Sequence, residues 1–458
     1  MWDSLGFRES PYNTSPLRAR AEDLDLLVGR STEATDLCTQ LGTSTNGILV
    51  LSGSPGVGKT SFFNVQQYKL ENGLTDFGPK LLSARQLCPV QPKEELRTLA
   101  LRALDSLIRS VDAWCIQNAR KLPPETEKLN KWLAGAGNSG FSIGISILGC
   151  GGSFGRSSQL PKAADASFES ISDALSAVTA EIVEVLGFES AVIALDNLEN
   201  LEEEELGAML ISFRDTLFSI PNLWWVLIGQ SGLGSLIQSL DPRVFERMTG
   251  SGIEIKPIEL EELDQAIALR VAKFHRSNGG KSPLASETYR RLFEASYGEM
   301  RFVFKYSNSI CAKFVERMRT VVLKSHNETN PNSQETSKKV FERALDKVIG
   351  EMMIDDQIDH RSAINHLRDI VEGELKGLFL KPKERAVLQG IGKAEKARAS
   401  DFKAFSLKTM QEFSGNYLTK LYGQKLLTRQ QEGRAVIYRL RGIAQLSYTF
   451  GLLVPASE

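Results

Sequence analysis

The sequence predicts an α/β fold in its first half, a parallel sheet with helices on both faces, followed by an all-helical segment and a small module of helices and a hairpin. Three observations carry this. Strand and helix signals alternate from about residue 20 to 255, as the crossover connections of a parallel sheet require. The stretch GILVLSGSPGVGKTSFF (47–63) joins an apolar strand to a helix through a glycine-rich loop. Beyond 259 the apolar spacing is helical, until residues 380–442 close with two strand patterns around QQEGRA.

Strand patterns lie at 47–52, near 81–87, at 190–195, at 223–229 and at GIEIKPI (252–258), with long helical patterns at 93–121 and 166–185. A ligand of such a sheet sits at the C-terminal ends of its strands. The strand in AVIALDNLEN (191–200) stops on Asp196, and Glu202–Glu205 suit the solvated first turn of a helix. The Gly/Ser-rich insert at 133–161 has a short alternating centre that suits a hairpin, and such inserts are either functional loops or disordered ones. Three helices follow in ELEELDQAIALRVAKFH, SETYRRLFEAS and EMRFVFKYSNSICAKFVERM, then a polar stretch at 325–338 with Pro331 that marks a boundary or long loop. Two more helical patterns, 338–354 and 357–378, lead to the C-terminal module. The expected division is a core at 1–258, a helical module at 259–322, a helical linker at 323–379 and the terminal module at 380–450.

At 458 residues the chain is long enough for several domains, and 42% hydrophobic and 24% charged residues with a formal net charge of −1 exclude a disordered or uniformly basic chain. Five scattered cysteines (Cys38, Cys88, Cys115, Cys150, Cys311) without a C-x-x-C pair read as reduced, buried thiols. No run approaches the roughly 20 apolar residues that span a bilayer. The expected location is cytoplasmic, with no membrane partner.

The chemistry of 47–63 is that of a phosphate cradle. Gly53, Gly56 and Gly58 let the backbone wrap closely, and the helix beginning near Lys59 adds its positive dipole end. Gly53, Ser54, Pro55, Gly56, Val57, Gly58, Lys59, Thr60 and Ser61 form the candidate nucleotide loop. Lys59 reaches the β- and γ-phosphates and the Thr60 hydroxyl ligates Mg²⁺, with Asp196 as the second magnesium ligand. ATP or ADP with Mg²⁺ is therefore the expected cofactor.

A P-loop core with an Asp-terminated strand and a helical module after it resembles the AAA+ ATPases, over about residues 20–320. LLVGRSTEATDLCTQL (26–41) resembles the segment that precedes the P-loop in origin-recognition-type initiators and signal-transduction STAND ATPases; the resemblance places Gly29 and Arg30 beside the adenine. YGEMR (297–301) is similar to the start of the lid helix, which implies that Arg301 senses the γ-phosphate. WWVLIGQS (224–231) resembles the strand ending in a polar sensor, Gln230 or Ser231. DPRVFERMTGSGIEIKPI (241–258) is similar to the stretch carrying an arginine finger for a neighbouring subunit, with Arg247 the first candidate and Arg243 the second. The implied fold is an AAA+ core with an all-helical lid. One departure stands out: Asn197 occupies the place of the glutamate expected after Asp196. Asn197 can position water but cannot take a proton, and Glu199 could swing back to do so. General-base help is worth roughly 10²–10⁴-fold, so slow turnover is expected where binding survives.

Residues 380–442 resemble a winged helix-turn-helix. Val387, Leu388, Ile391, Tyr417, Leu418, Leu421, Leu426 and Leu427 suit its core, and Gly433 suits the turn of the wing. Between 381 and 441 fourteen Lys/Arg stand against five Asp/Glu, a local +9 that leaves −10 on the rest of the chain. A basic module on an acidic body is the footprint of phosphate binding, which makes duplex DNA the expected partner. Lys408, Asn416 and Lys420 would lie on or beside the recognition helix, and Arg429 and Arg434 on the wing; protein contact is the competing use of such a module. The resulting expectation is an ATPase that assembles with copies of itself or other subunits through its nucleotide site and anchors on DNA. Two alternatives are a STAND-like signalling ATPase of prokaryotic defence or stress response acting on a separate effector protein, and a transcription regulator with a vestigial site, against which intact Lys59, Thr60 and Asp196 argue.

Overall fold

The computed structural model describes residues 1–136, 166–329, 338–432 and 435–454. Most of the Gly/Ser-rich insert, Pro331, Gly433 and Arg434 lie outside them. The chain forms two compact units: Pro16–Lys256, and Met1–Ser15 together with Pro257–Glu458.

The first unit contains α1 (Ser31–Leu41), β1 (Gly47–Gly53), α2 (Lys59–Glu71), β2 (Leu81–Ser83), β3 (Cys88–Pro89), α3 (Leu96–Gln117), α4 (Pro124–Ala136), α5 (Phe168–Glu184), β4 (Ser190–Asp196), α6 (Glu203–Arg214), β5 (Leu223–Gly229), α7 (Leu233–Leu240), α8 (Pro242–Glu246) and β6 (Ile253–Ile255). The strands form a parallel sheet in the order β2-β4-β5-β1-β6, with β3 beside β4. Alternate side chains leave opposite faces of a strand, and two cores result. Ile48, Val50, Ile193, Leu195, Trp225 and Leu227 pack into one, with α3, α5 and α6. Leu49, Leu51, Val192, Ala194, Trp224 and Val226 pack into the other, with α1 and α2. Burial on both faces explains the continuous apolar runs of β4 and β5.

Two elements differ from expectation. The strand expected over 81–87 is split, because hydroxyls of α3 take over its backbone: Ser110 Oγ accepts from Arg85 N at 2.9 Å and Ser106 Oγ donates to Gln86 O at 2.7 Å. Helix α4 was not foreseen. Its start is capped from another element, the Glu181 carboxylate of α5 accepting from the backbone N–H groups of Glu125 and Thr126 at 2.8 Å.

The second unit contains α9 (Leu260–Phe274), α10 (Ser286–Ser296), α11 (Met300–Thr329), α12 (Lys338–Met352), α13 (His360–Gly377) and α14 (Pro382–Ala394), then a π-helical stretch Glu412–Thr419 running into α15 (Lys420–Gly423), an antiparallel pair β7 (Leu427–Glu432) and β8 (Ala435–Leu440), and α16 (Ile443–Thr449). The last elements are the expected winged helix-turn-helix. Val387, Leu388, Ile391, Leu418, Leu421, Leu426 and Leu427 are all buried in it.

Residues 1–15, expected in the core, pack here instead. Phe7 lies edge-on to His275, the Tyr12 hydroxyl meets that of Tyr289, and Arg8 N donates to Phe274 O at 2.9 Å. α11 continues through 325–329, where a loop was expected, and within the stretch expected as a helical linker, 323–379, α12 and α13 pack against α11. Among the described residues, no helix is long and apolar enough to cross a membrane.

Candidate nucleotide site

The P-loop leaves the C-terminal end of β1, the strand flanked by β5 and β6. Gly53 is required by close approach: a Cβ there would stand 2.4 Å from Ile255 O. Gly58 caps α2 with φ +100°, a conformation that L side chains avoid. The first intrahelical bond of α2 runs from Phe62 N to Gly58 O at 2.8 Å, so the N–H groups of Thr60 and Ser61 have no partner within the helix and are available to an anion.

Lys59 is 7% exposed and its Nζ lies 2.9 Å from Gly53 O and 3.3 Å from Ser54 O, folded over the loop it serves. Thr60 Oγ1 donates to Asp196 Oδ2 at 3.0 Å, and Asn197 N donates to Asp196 Oδ1 at 2.8 Å. The sheet therefore brings together a lysine, a hydroxyl and a carboxylate from sites 136 residues apart. Burial pushes the Asp196 carboxyl above its ordinary value, against the bonds from Asn197 and Thr60, and the charge of Glu199 adds to the rise. A hydroxyl and a carboxylate side by side are hard oxygen donors, the set a magnesium ion held against phosphates uses.

Asn197 has φ +62° and opens a short 3₁₀ turn, Leu198–Asn200. Asparagine tolerates this left-handed conformation better than other non-glycine residues, an explanation of its identity that does not involve water. Glu199 lies exposed in that turn. Gln230 and Ser231 follow β5, whose neighbours are β4 and β1, and both are exposed.

Arg30 is buried and its guanidinium is engaged within the protein, Nη2 on Val57 O and Nη1 on Glu33 Oε1, each at 3.0 Å. Its visible work is to brace the loop. Gly29 before it has φ +68°. Two contacts were not anticipated: Leu17 N donates to Ser61 Oγ at 3.1 Å, and Asn64 Nδ2 donates to Leu17 O at 2.7 Å. They pin the segment ahead of α1 to the first turns of α2. Nothing local in the sequence signals them, since the partners are more than 40 residues apart.

The finger candidates separate. Arg247 bonds Arg214 O and Asp215, whereas Arg243, exposed on α8, donates no side-chain hydrogen bond among the described residues. Arg301 is exposed in the first turn of α11, with no ion pair among the described residues. A cation there opposes the helix dipole. In the C-terminal module Lys408, Asn416 and Arg429 are exposed. Lys420 is not free: its Nζ bonds Glu384 Oε1 at 2.5 Å, and that carboxylate is 5% exposed.

No family model matches the chain, and no curated protein matches it. Among solved structures it is similar to the Aeropyrum pernix ORC2 protein in its ADPNP-ADP complexes (TM-score 0.44, 12% identity, 98% of each chain covered). It is also similar to the Pyrobaculum aerophilum CDC6P (TM-score 0.35, 13% identity, 97% of each chain) and to the Aeropyrum pernix ORC1 protein in complex with DNA (TM-score 0.36, 12% identity, 97% of this chain and 98% of that one). These TM-scores lie below 0.5, and the functional reading rests on the residues of the P-loop and of Asp196.

Proposed function

We propose that the chain is an ATP-binding AAA+ switch with slow hydrolysis, assembling in a nucleotide-dependent way and contacting duplex DNA through its C-terminal module. The Thr60–Asp196 contact beside Lys59 is the observation that carries the reading. Bound Mg²⁺ would neutralise charge between the outer phosphates. Lys59 would exchange its bonds to the Gly53 and Ser54 carbonyls for bonds to phosphate, while the first-turn N–H groups of α2 and the Arg30-braced loop hold the chain of phosphates in place. Turnover would be slow because Asn197 cannot accept a proton. Glu199, close enough for its charge to act on Asp196, is the carboxylate that would orient water. Gln230 or Ser231 and Arg301 would read the γ-phosphate, and Arg243 rather than the engaged Arg247 would reach a neighbouring subunit. Lys408, Asn416 and Arg429 would meet DNA.

Calorimetry with ATP and Mg²⁺ tests this. Lys59→Ala is expected to abolish nucleotide binding, and Asp196→Asn to remove its magnesium dependence. Absence of binding heat with the folded native protein overturns the reading.

A further inference from the structure

Arg441, at the end of β8 in the wing, is fixed on the element that carries Arg301. Its guanidinium pairs with Glu299, with the two side chains only 13% and 20% exposed. Glu299 is the residue on which α11 starts: its carbonyl accepts from Phe302 N at 3.0 Å and from Val303 N at 3.1 Å. Gly442, next in the chain, donates its N–H to Ala295 O at 2.7 Å, on the other side of the α10–α11 turn. With φ +56°, Gly442 also lies so close to Phe302, the neighbour of Arg301, that a Cβ would stand 2.9 Å from its ring. Beyond it, α16 packs on α10 and α13, and Arg291 of α10 lies over the Phe450 ring at 5.3 Å. The wing thus grips both sides of the turn on which Arg301 is mounted.

A half-buried ion pair is a poor source of net stability, because desolvation offsets its attraction. Its use here is geometric: it fixes where α11 begins. The exposed Arg301, two residues past Glu299 and opposed by the helix dipole, gains nothing locally that would hold it. We propose that Arg441 is a positioning residue for Arg301, acting through Glu299, so that the C-terminal module sets how strongly the protein prefers ATP over ADP. This rests on the proposed role of Arg301 in reading the γ-phosphate.

The test is the ratio of ADP to ATP dissociation constants, measured by calorimetry on the full chain with Mg²⁺. Arg441→Ala is expected to lower the ratio at least about fivefold, the lower end of ordinary coupling between sites, in the direction of Arg301→Ala. ADP affinity is expected to stay within about twofold, because the P-loop is untouched. Arg441→Lys, and the exchange of Glu299→Arg with Arg441→Glu, are expected to recover most of the preference, which general loosening of the fold would not do. If Arg301→Ala abolishes the preference and either Arg441→Ala leaves it as in the native protein or the Lys variant and the exchange fail to recover it, the positioning role is overturned while the γ-phosphate reading stands. If Arg301→Ala itself changes nothing, that reading falls and the positioning role falls with it. Should Arg441→Ala not fold, the Lys variant and the exchange decide by the same ratio.

Discussion

At the scale of the residue, Asn197 and Asp196 share one hydrogen bond and have opposite problems. Asn197 sits at φ +62°, where a side chain other than asparagine costs about 1 kcal/mol or more. Asn197→Gly is therefore expected to keep stability within a few tenths of a kcal/mol, and Asn197→Glu to lose about 1 kcal/mol while turning over ATP faster. Thermal melts paired with phosphate release measure both; a slower Asn197→Glu protein would show that this is not the position of a missing acid. Asp196 is held above the ordinary carboxyl range, burial being the main cause. Because its folded-state value is raised, the native state takes up the proton more readily than the unfolded chain, and acid does not unfold the protein through this group. Magnesium needs the ionised form. As pH falls, magnesium-dependent ATP affinity is expected to decline from a higher pH than an ordinary aspartate would give, and Asp196→Asn to have low affinity with a flat profile. Titrations across this range give the curve.

At the scale of the element, the C-terminal module depends on Glu384. Burial works against its ionisation, but hydrogen bonds from Lys420 and from the Lys381 backbone outweigh it and hold the carboxyl below its usual value. A depressed carboxyl contributes stability above its unfolded value and loses that contribution as pH falls through the folded one. Lys420→Ala leaves a buried acceptor unpaired and is expected to cost about 1–3 kcal/mol, with a weaker dependence of stability on pH in the acid range. Denaturant unfolding at neutral and acid pH separates the two effects. Lys420 is thus a tie between α14 and the start of α15, whatever it does toward DNA. The same holds for Arg441, so the basic excess read from the sequence overstates the charge left for phosphate.

At the scale of the whole molecule, the exposed cations that remain carry the DNA reading. Lys408→Ala and Arg429→Ala are each expected to weaken duplex binding uniformly across sequences and to lower the salt slope by about 1, which fluorescence anisotropy over a salt series measures. Assembly is a separate matter. Size-exclusion chromatography with light scattering, run with ADP and with a non-hydrolysable ATP analogue, each with and without duplex DNA, is expected to show growth with the analogue and loss of that growth in Arg243→Ala. An unchanged monomer in all four samples would refute nucleotide-dependent assembly.

The sequence by itself determined what depends on neighbours along the chain. The alternation of strand and helix, the glycines of 53–58, the aspartate ending β4 and the helices and hairpin of the wing are local patterns, and local sterics and periodicity write them directly into residue order. It also supplied the residues proposed as a phosphate cradle, because that chemistry needs fixed types at fixed spacing. Tertiary structure alone decided the split of the second strand by Ser106 and Ser110, the cap that Glu181 gives α4, and the packing of residues 1–15 on α9 and α10. It alone decided which cations are committed: Arg30 to the loop, Arg247 to Asp215, Lys420 to Glu384 and Arg441 to Glu299. The reason is range. A charge carries no mark of its partner when that partner lies tens to more than a hundred residues away, and only folding brings the two within the few ångströms over which they act.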